Sequence, residues 1–392
     1  CFSEAQPNAV FKSESAQRAA KFGIKIGSRE DLTNVLTEAI KTVTTDDVES
    51  VLRRLTAEKF SDFDISDDGS IIWATCHMVW RGGIRPGEVI WLSEGTPMPE
   101  NDDESGNWKV FIRYGSSSES ENESYAWPAS AWKLGDLTTD DIDTIRRFHV
   151  LQTDNDLREN FRDSISTMQH MHSIAVEKVW QKIFLDESRL VSGENEYEFT
   201  DQAKSSYNLA QLFTNMLEDQ LEKQFPAHPN FSDVLGANEV SSLIEHLFSG
   251  SGSNNPEIQK LAANFAMPLD LVYDNAGIFF PLPGDGLTGS TIVKEVIDLK
   301  QLDKADVIPL NEVSLRMQAA PYGLTQEAQH LVLAALAAQR QFEFVTSSEN
   351  RINHRSLDLQ IIWEDIVGIA KPSAEAYSGD RLLMWVGLLT GD

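Results

Sequence analysis

Apolar residues recur at helical spacing through most of this chain, and one early stretch alternates as strands do. Residues 1–65 read as a helical segment. Thr44-Thr45-Asp46-Asp47 marks a helix start, with a capping hydroxyl and acids in the first turn, where they meet the positive end of the dipole. Val48, Val51, Leu52 and Leu55 follow at helical spacing. This helix is expected to pack its apolar stripe and to solvate Arg53, Arg54 and Glu58.

Residues 66–135 read as a small β-rich domain with acidic loops. Ser66-Asp67-Asp68-Gly69 is a turn, Ile71 to Trp80 a strand, Gly82-Gly83 a break, and Glu88 to Leu92 a second strand. Trp108, Val110, Ile112 and Tyr114 alternate as one face of a half-buried strand. Ser93 to Asn107 and Gly115 to Ser124 are polar, Ser-rich and acidic, and are expected to be loops.

The helical pattern returns over 136–250. Thr138-Thr139-Asp140-Asp141 repeats the earlier start signal, with Ile142, Ile145 and Phe148 behind it. Long helices are expected near 157–185 and 201–224, the second ended by Pro226 and Pro229, and another over Asn238 to Phe248. Ser249 to Pro256 is a Gly/Ser linker. A last domain, 256–392, carries helices near 256–265 and 289–299, one over Asn311 to Gln318, and a very apolar one over Leu324 to Arg340. Phe342 to Val345 and Arg351 to His354 then flank a turn as a β-hairpin, and an amphipathic segment, Leu357 to Ile369, follows. The expected class is α+β: a mostly helical, multi-domain fragment with a small β-rich insertion and a C-terminal winged-helix-like module.

Charge narrows the chemistry. The 392 residues carry a net charge of −28, which repels a nucleic-acid backbone. Glu94 to Glu123 holds eight acids against Lys109 and Arg113, whereas Val313 to Leu357 holds three acids against four arginines. Contact with DNA would therefore come from the terminal module. Its apolar helix is of the buried kind, which leaves Arg340 at the helix end and Arg351, His354 and Arg355 on the hairpin as candidates. The two cysteines, Cys1 and Cys76, exclude a disulfide framework and fit a reducing cytoplasm. No apolar run of membrane-spanning length occurs, so no membrane partner is expected.

Catalytic patterns are sparse. Gly284 to Thr291 has the glycines and terminal hydroxyl of a phosphate-binding loop but Ser290 where the lysine must stand. His170 and His172 are two apart and face different sides of a helix. No HExxH or GxSxG occurs. Trp73, Trp80, Trp91, Trp108, Trp127 and Trp132 crowd the β region; packing of a sheet explains them better than base stacking amid so many acids. No catalytic, metal or cofactor residue is therefore assigned.

Three short stretches carry a family resemblance: Phe225-Pro226-Ala227-His228-Pro229-Asn230-Phe231, Phe265 to Val272, and Ala320-Pro321-Tyr322-Gly323-Leu324. Trp108 to Ile112 adds to it. The chain resembles the C-terminal region of the PglY/BrxC-like large ATPases of BREX-type phage-defence systems. The resemblance implies a non-catalytic regulatory or assembly region, with ATP bound in a motor N-terminal to Cys1. It implies a cytoplasmic setting, partners among other defence proteins, DNA as a further partner, and homo-oligomers. The residues leave two alternatives open: a nucleic-acid-binding module acting through the terminal hairpin, and a hydrolase in the β region.

Overall fold

The computed structural model describes residues 29–60, 62–65, 72–93, 96, 107–114, 127–249, 254–296, 306–357 and 361–373. The turn at Ser66–Gly69, most of both acidic loops and the middle of the Gly/Ser linker lie outside the described residues. Helix accounts for 51% and strand for 20%, an α+β protein. The chain divides into two compact units. The first comprises Cys1–Cys76, Pro86–Asn101 and Asn107–Leu217, the second His77–Arg85, Asp102–Gly106 and Glu218–Asp392.

Helices α1 (Arg29–Ala39) and α2 (Thr45–Lys59) precede strands β1 (Phe63–Ile65), β2 (Ile72–Trp80), β3 (Gly83–Leu92), β4 (Trp108–Arg113) and β5 (Ala129–Lys133), of which the end of β2 and the start of β3, within His77–Arg85, belong to the second unit and the rest to the first. Helices α3 (Thr139–Thr153), α4 (Asn155–Asn160) and α5 (Arg162–Gln181) follow. Then come β6 (Arg189–Ser192), β7 (Asn195–Tyr197), α6 (Asp201–Ser206) and the start of α7 (Leu209–Gln224). The seven strands form one mixed sheet in sequence order. β3, β4 and β5 run parallel, and β5, β6 and β7 antiparallel.

Both predicted helix starts form, each as a capping box: Thr44 with Asp47 opens α2, and Thr138 with Asp141 opens α3. The tryptophans build the core. Trp132 meets Phe60, Phe184 and Phe213 edge-on, and Trp180 stacks on Phe184 at 5.2 Å. Their indole donors are satisfied: Trp132 donates to the Phe184 carbonyl, Trp180 to the Thr56 hydroxyl.

Four expectations for this region need correction. β3 begins at Gly83, not Glu88: it neighbours β2 as well as β4, and Pro86 falls before its ladder with β4 begins at Gly87, where no amide donor is missing. β4 is buried on both faces, with Phe111 packed against Leu92 and Ala129, as a central parallel strand should be. The stretch 136–250 is not wholly helical. β6 and β7 turn at Gly193 (φ +58), and Tyr207 (φ +48) separates α6 from α7. Finally, Arg53 is not solvated. It donates to Oε1 of buried Glu49, which also accepts from Trp91 Nε1 (2.8 Å) and Ser93 Oγ (2.7 Å).

The second unit continues with α8 (Ala237–Ser242) and α9 (Pro256–Leu261), each running on into a wider π turn. A two-stranded hairpin, β8 (Val272–Asn275) and β9 (Ile278–Pro281), leads to α10 (Gly284–Leu287) and α11 (Thr291–Val296). Then come β10 (Val307–Pro309), α12 (Leu310–Gln318), α13 (Gln326–Ala338), β11 (Glu343–Thr346), β12 (Arg351–Ile352) and β13 (Ile366–Ala370). Helix α13 is buried from Leu331 through Ala337, in a core with Leu243, Leu247, Phe265, Phe342 and Phe344. The predicted hairpin forms at β11 and β12, in register Phe344↔Ile352. The end of the amphipathic segment becomes β13, which pairs with both β10 and β11. Among the described residues no helix is long and apolar enough to cross a membrane.

Candidate functional site

In the second unit the first and third resemblance stretches meet at the turn between β2 and β3. Each is drawn in by backbone demands. Phe231 and Leu235 amides donate to the carbonyls of Arg81 and Gly82, and Ala227 donates to Pro321. Arg81 Nη1 donates to the His228 carbonyl at 3.2 Å. The second stretch joins through Phe265, edge-on to Phe231 with centroids 5.9 Å apart.

Arg85 and His228 sit at the centre, 8% and 4% exposed. Arg85 Nη2 donates to the Gly323 carbonyl at 2.6 Å. Its guanidinium lies over the rings of Trp80 and Phe225. His228 stacks on Trp80 at 5.0 Å, and its Nδ1 is 2.8 Å from the Tyr322 carbonyl. A carbonyl only accepts, so Nδ1 carries the hydrogen, and the 3.2 Å approach of Arg85 to Nδ1 is a contact and not a donation. Burial, then the Arg85 charge, pushes His228 down to about 3, so its ring is neutral at pH 7. Burial alone brings Arg85 to about 10, still charged.

This tautomer leaves Nε2 as a lone pair. Nε2 and the Thr325 hydroxyl are buried with no hydrogen-bond partner, and both flank Gly83, whose Cβ would stand 3.3 Å from Nε2. A neutral imidazole with a free lone pair is the form of a general base. Here it is closed in by aromatic rings, and with only 4% exposure it offers substrate no approach. The arrangement is a packing lock. Sequence reading saw His228, Pro321 and Gly323 as structural marks but missed Arg85, which has no local signature and whose hydrogen bond to the Gly323 carbonyl joins residues far apart in the chain.

The four hairpin candidates differ in exposure and engagement. Arg340 is exposed at the end of α13 with φ +61. Arg351 is held in the protein: its Nη1 lies 3.4 Å from buried Glu343 and donates to the Lys371 carbonyl at 2.9 Å. His354 is half-buried and Arg355 exposed, the latter in a turn where its amide donates to Asn353. α13, the helix that would enter a groove, is enclosed by the core. At Gly284 to Thr291 the amides of Leu287, Thr288, Gly289 and Ser290 bond to carbonyls within the turn, and Ser290 Oγ caps Val293. Those amides are spent before a phosphate could use them. Cys76 is a buried thiol pushed up to about 12 by burial, with Asp62 adding to the rise. Among the described residues no group of three metal-ligating side chains occurs.

No family model, no curated protein and no solved structure matches this chain.

Proposed function

We propose that this chain is a non-catalytic assembly region of a large ATPase of the PglY/BrxC type, coupling a motor elsewhere in the protein to partner proteins. One observation carries the reading. The three stretches behind the resemblance lie 40 to 100 residues apart, yet they pack into one cluster around Arg85, His228 and Phe231. Motifs whose residues pack against one another point to a region whose shape matters more than its reactivity. The terminal module, read as winged-helix-like, would present the contact surface. Val307, Ile362 and Val367 are 39%, 63% and 48% exposed there. Val367 faces outward because it is the extra residue of a bulge, where Val345↔Gly368 is followed by Thr346↔Ile366.

The test is co-purification of the chain with the proteins encoded beside it, after nuclease treatment, with and without Val367→Asp and Ile362→Asp. Retention of a neighbour by the native chain and its loss from the variants is expected. ATP turnover by this chain alone would overturn the reading. Tight binding of duplex DNA at about 0.15 M salt that Arg340→Ala and Arg355→Ala abolish would replace it with the nucleic-acid reading.

A further inference from the structure

The first unit holds a polar pocket of about 470 Å³ where α2, α3, α4 and α5 meet. Arg54 reaches it from α2 and Arg158 from α4. Gln169, His170 and Ser173 line it from one side of α5, and Gln152 from the last turn of α3. Phe148, 5% exposed, forms part of its wall. The chain has 61 acids against 33 basic residues, yet none of the residues lining this pocket is acidic. Among the described residues no carboxylate stands at ion-pair distance from Arg54 or Arg158.

Two arginines at this place could simply answer the negative end of α3, which terminates here. Three carbonyls of its last turns are already taken. His149 O accepts from the Thr153 hydroxyl, Val150 O from the Asp154 amide, and Leu151 O from Gln169 Nε2 at 2.7 Å. Arg54 bonds to none of them; its Nη2 donates to Gln152 Oε1 at 2.6 Å. Asp154, the residue that follows α3, is turned to cap the amide of Leu157. Apart from the Arg54–Gln152 bond, the guanidinium donors that line the concavity are not engaged by the fold.

We propose that this pocket binds a small phosphorylated molecule. Arg54 and Arg158 hold the phosphate, whose oxygens match the planar fork of a guanidinium. Nε2 of Gln152, Oε1 of Gln169 and the hydroxyl of Ser173 take the polar groups of the body. The volume exceeds what a phosphate ion needs and falls in the range of small-molecule sites. A phosphate ester of sugar or nucleoside size is the fitting class.

Equilibrium dialysis of the full chain at low ionic strength tests this. The probes are inorganic phosphate, a pentose phosphate, a nucleoside monophosphate and the unphosphorylated pentose. Saturable binding of at least one ester is expected, tighter than inorganic phosphate, with none of the bare sugar. Arg54→Ala and Arg158→Ala should each weaken it by about tenfold or more, the loss of one charge-assisted hydrogen bond. Both side chains are exposed, so the unfolding midpoint should stay unchanged in both variants. Absence of saturable binding by every ester would overturn the proposal, as would binding that survives both substitutions. Inorganic phosphate binding as tightly as the esters would reduce the pocket to a plain anion site and overturn the assignment of an organic ligand.

Discussion

Trp80 and His228 lie face to face, their ring centroids 5.0 Å apart and their planes 23° from parallel. The stack fixes which edge of the imidazole meets the Tyr322 carbonyl and therefore which nitrogen carries its hydrogen. Stability should depend on this pair in ways that denaturation can measure.

Acid should weaken the protein well before its carboxylates titrate. In the unfolded chain a histidine ionises near pH 6.5, whereas folded His228 is held down to about 3 and His330 to about 4. Between those values the unfolded state binds more protons, so stability falls as pH drops from 6.5. The slope is about 1.4 kcal/mol per pH unit for each group at most. Urea midpoints from pH 7.5 to 4.5 should show this loss, and His228→Gln should flatten it. An equal slope in the variant would contradict the neutral buried ring.

Removing Arg85 should be costly. Arg85→Ala deprives the Gly323 carbonyl of its donor and empties the space between Trp80 and Phe225. A loss of ~3 kcal/mol is expected, seen as a lower urea midpoint. Arg85→Lys should recover little, since an ammonium lacks the planar face that lies over both rings.

Two glycines with positive φ should respond differently to alanine. Gly323 (φ +52) would place its Cβ 2.3 Å from Cδ1 of Phe225, whereas Gly277 (φ +85) would meet nothing within 4 Å. Gly277→Ala should cost only the backbone strain, ~1 kcal/mol. Gly323→Ala must also displace a buried ring and should lower stability by ~3 kcal/mol or more. Thermal unfolding of the two variants gives the comparison directly.

Glu49 should be the most sensitive acid of the first unit. Its Oε1 gathers donors from Trp91, Ser93 and Arg53 in a nearly closed environment. Glu49→Ala leaves Arg53, with its side chain 13% exposed, without that carboxylate, and a loss of ~3 kcal/mol is expected. The exposed Glu58, next to last in α2, should tolerate alanine within ~0.5 kcal/mol.

Local chemistry made much of the fold legible. The Thr-x-x-Asp boxes at Thr44 and Thr138 stand as read, because a cap is made by residues three apart. The apolar run of α13 already required burial, because a helix with no polar face has nowhere else to go. The hairpin at Phe344 and Ile352 followed from alternation and a polar turn. What failed were features set by neighbours in space. Phe111 is buried because β4 lies between two parallel strands, and nothing in Trp108-Lys109-Val110-Phe111-Ile112 announces that. β6 and β7 are too short for a period to show.

The candidate sites divide in the same way. Sequence alone fixed the caps, the buried helix and the lack of a lysine at Ser290, each a matter of residues within a few positions. Only the tertiary structure turned Arg85 into the partner of Tyr322-Gly323 and His228, engaged Arg351 with Glu343, and gathered Arg54, Arg158 and His170 from three helices around one pocket. Side chains separated by a hundred residues leave no periodic trace. Their electrostatic and packing energies arise only when the backbone brings them within a few ångströms.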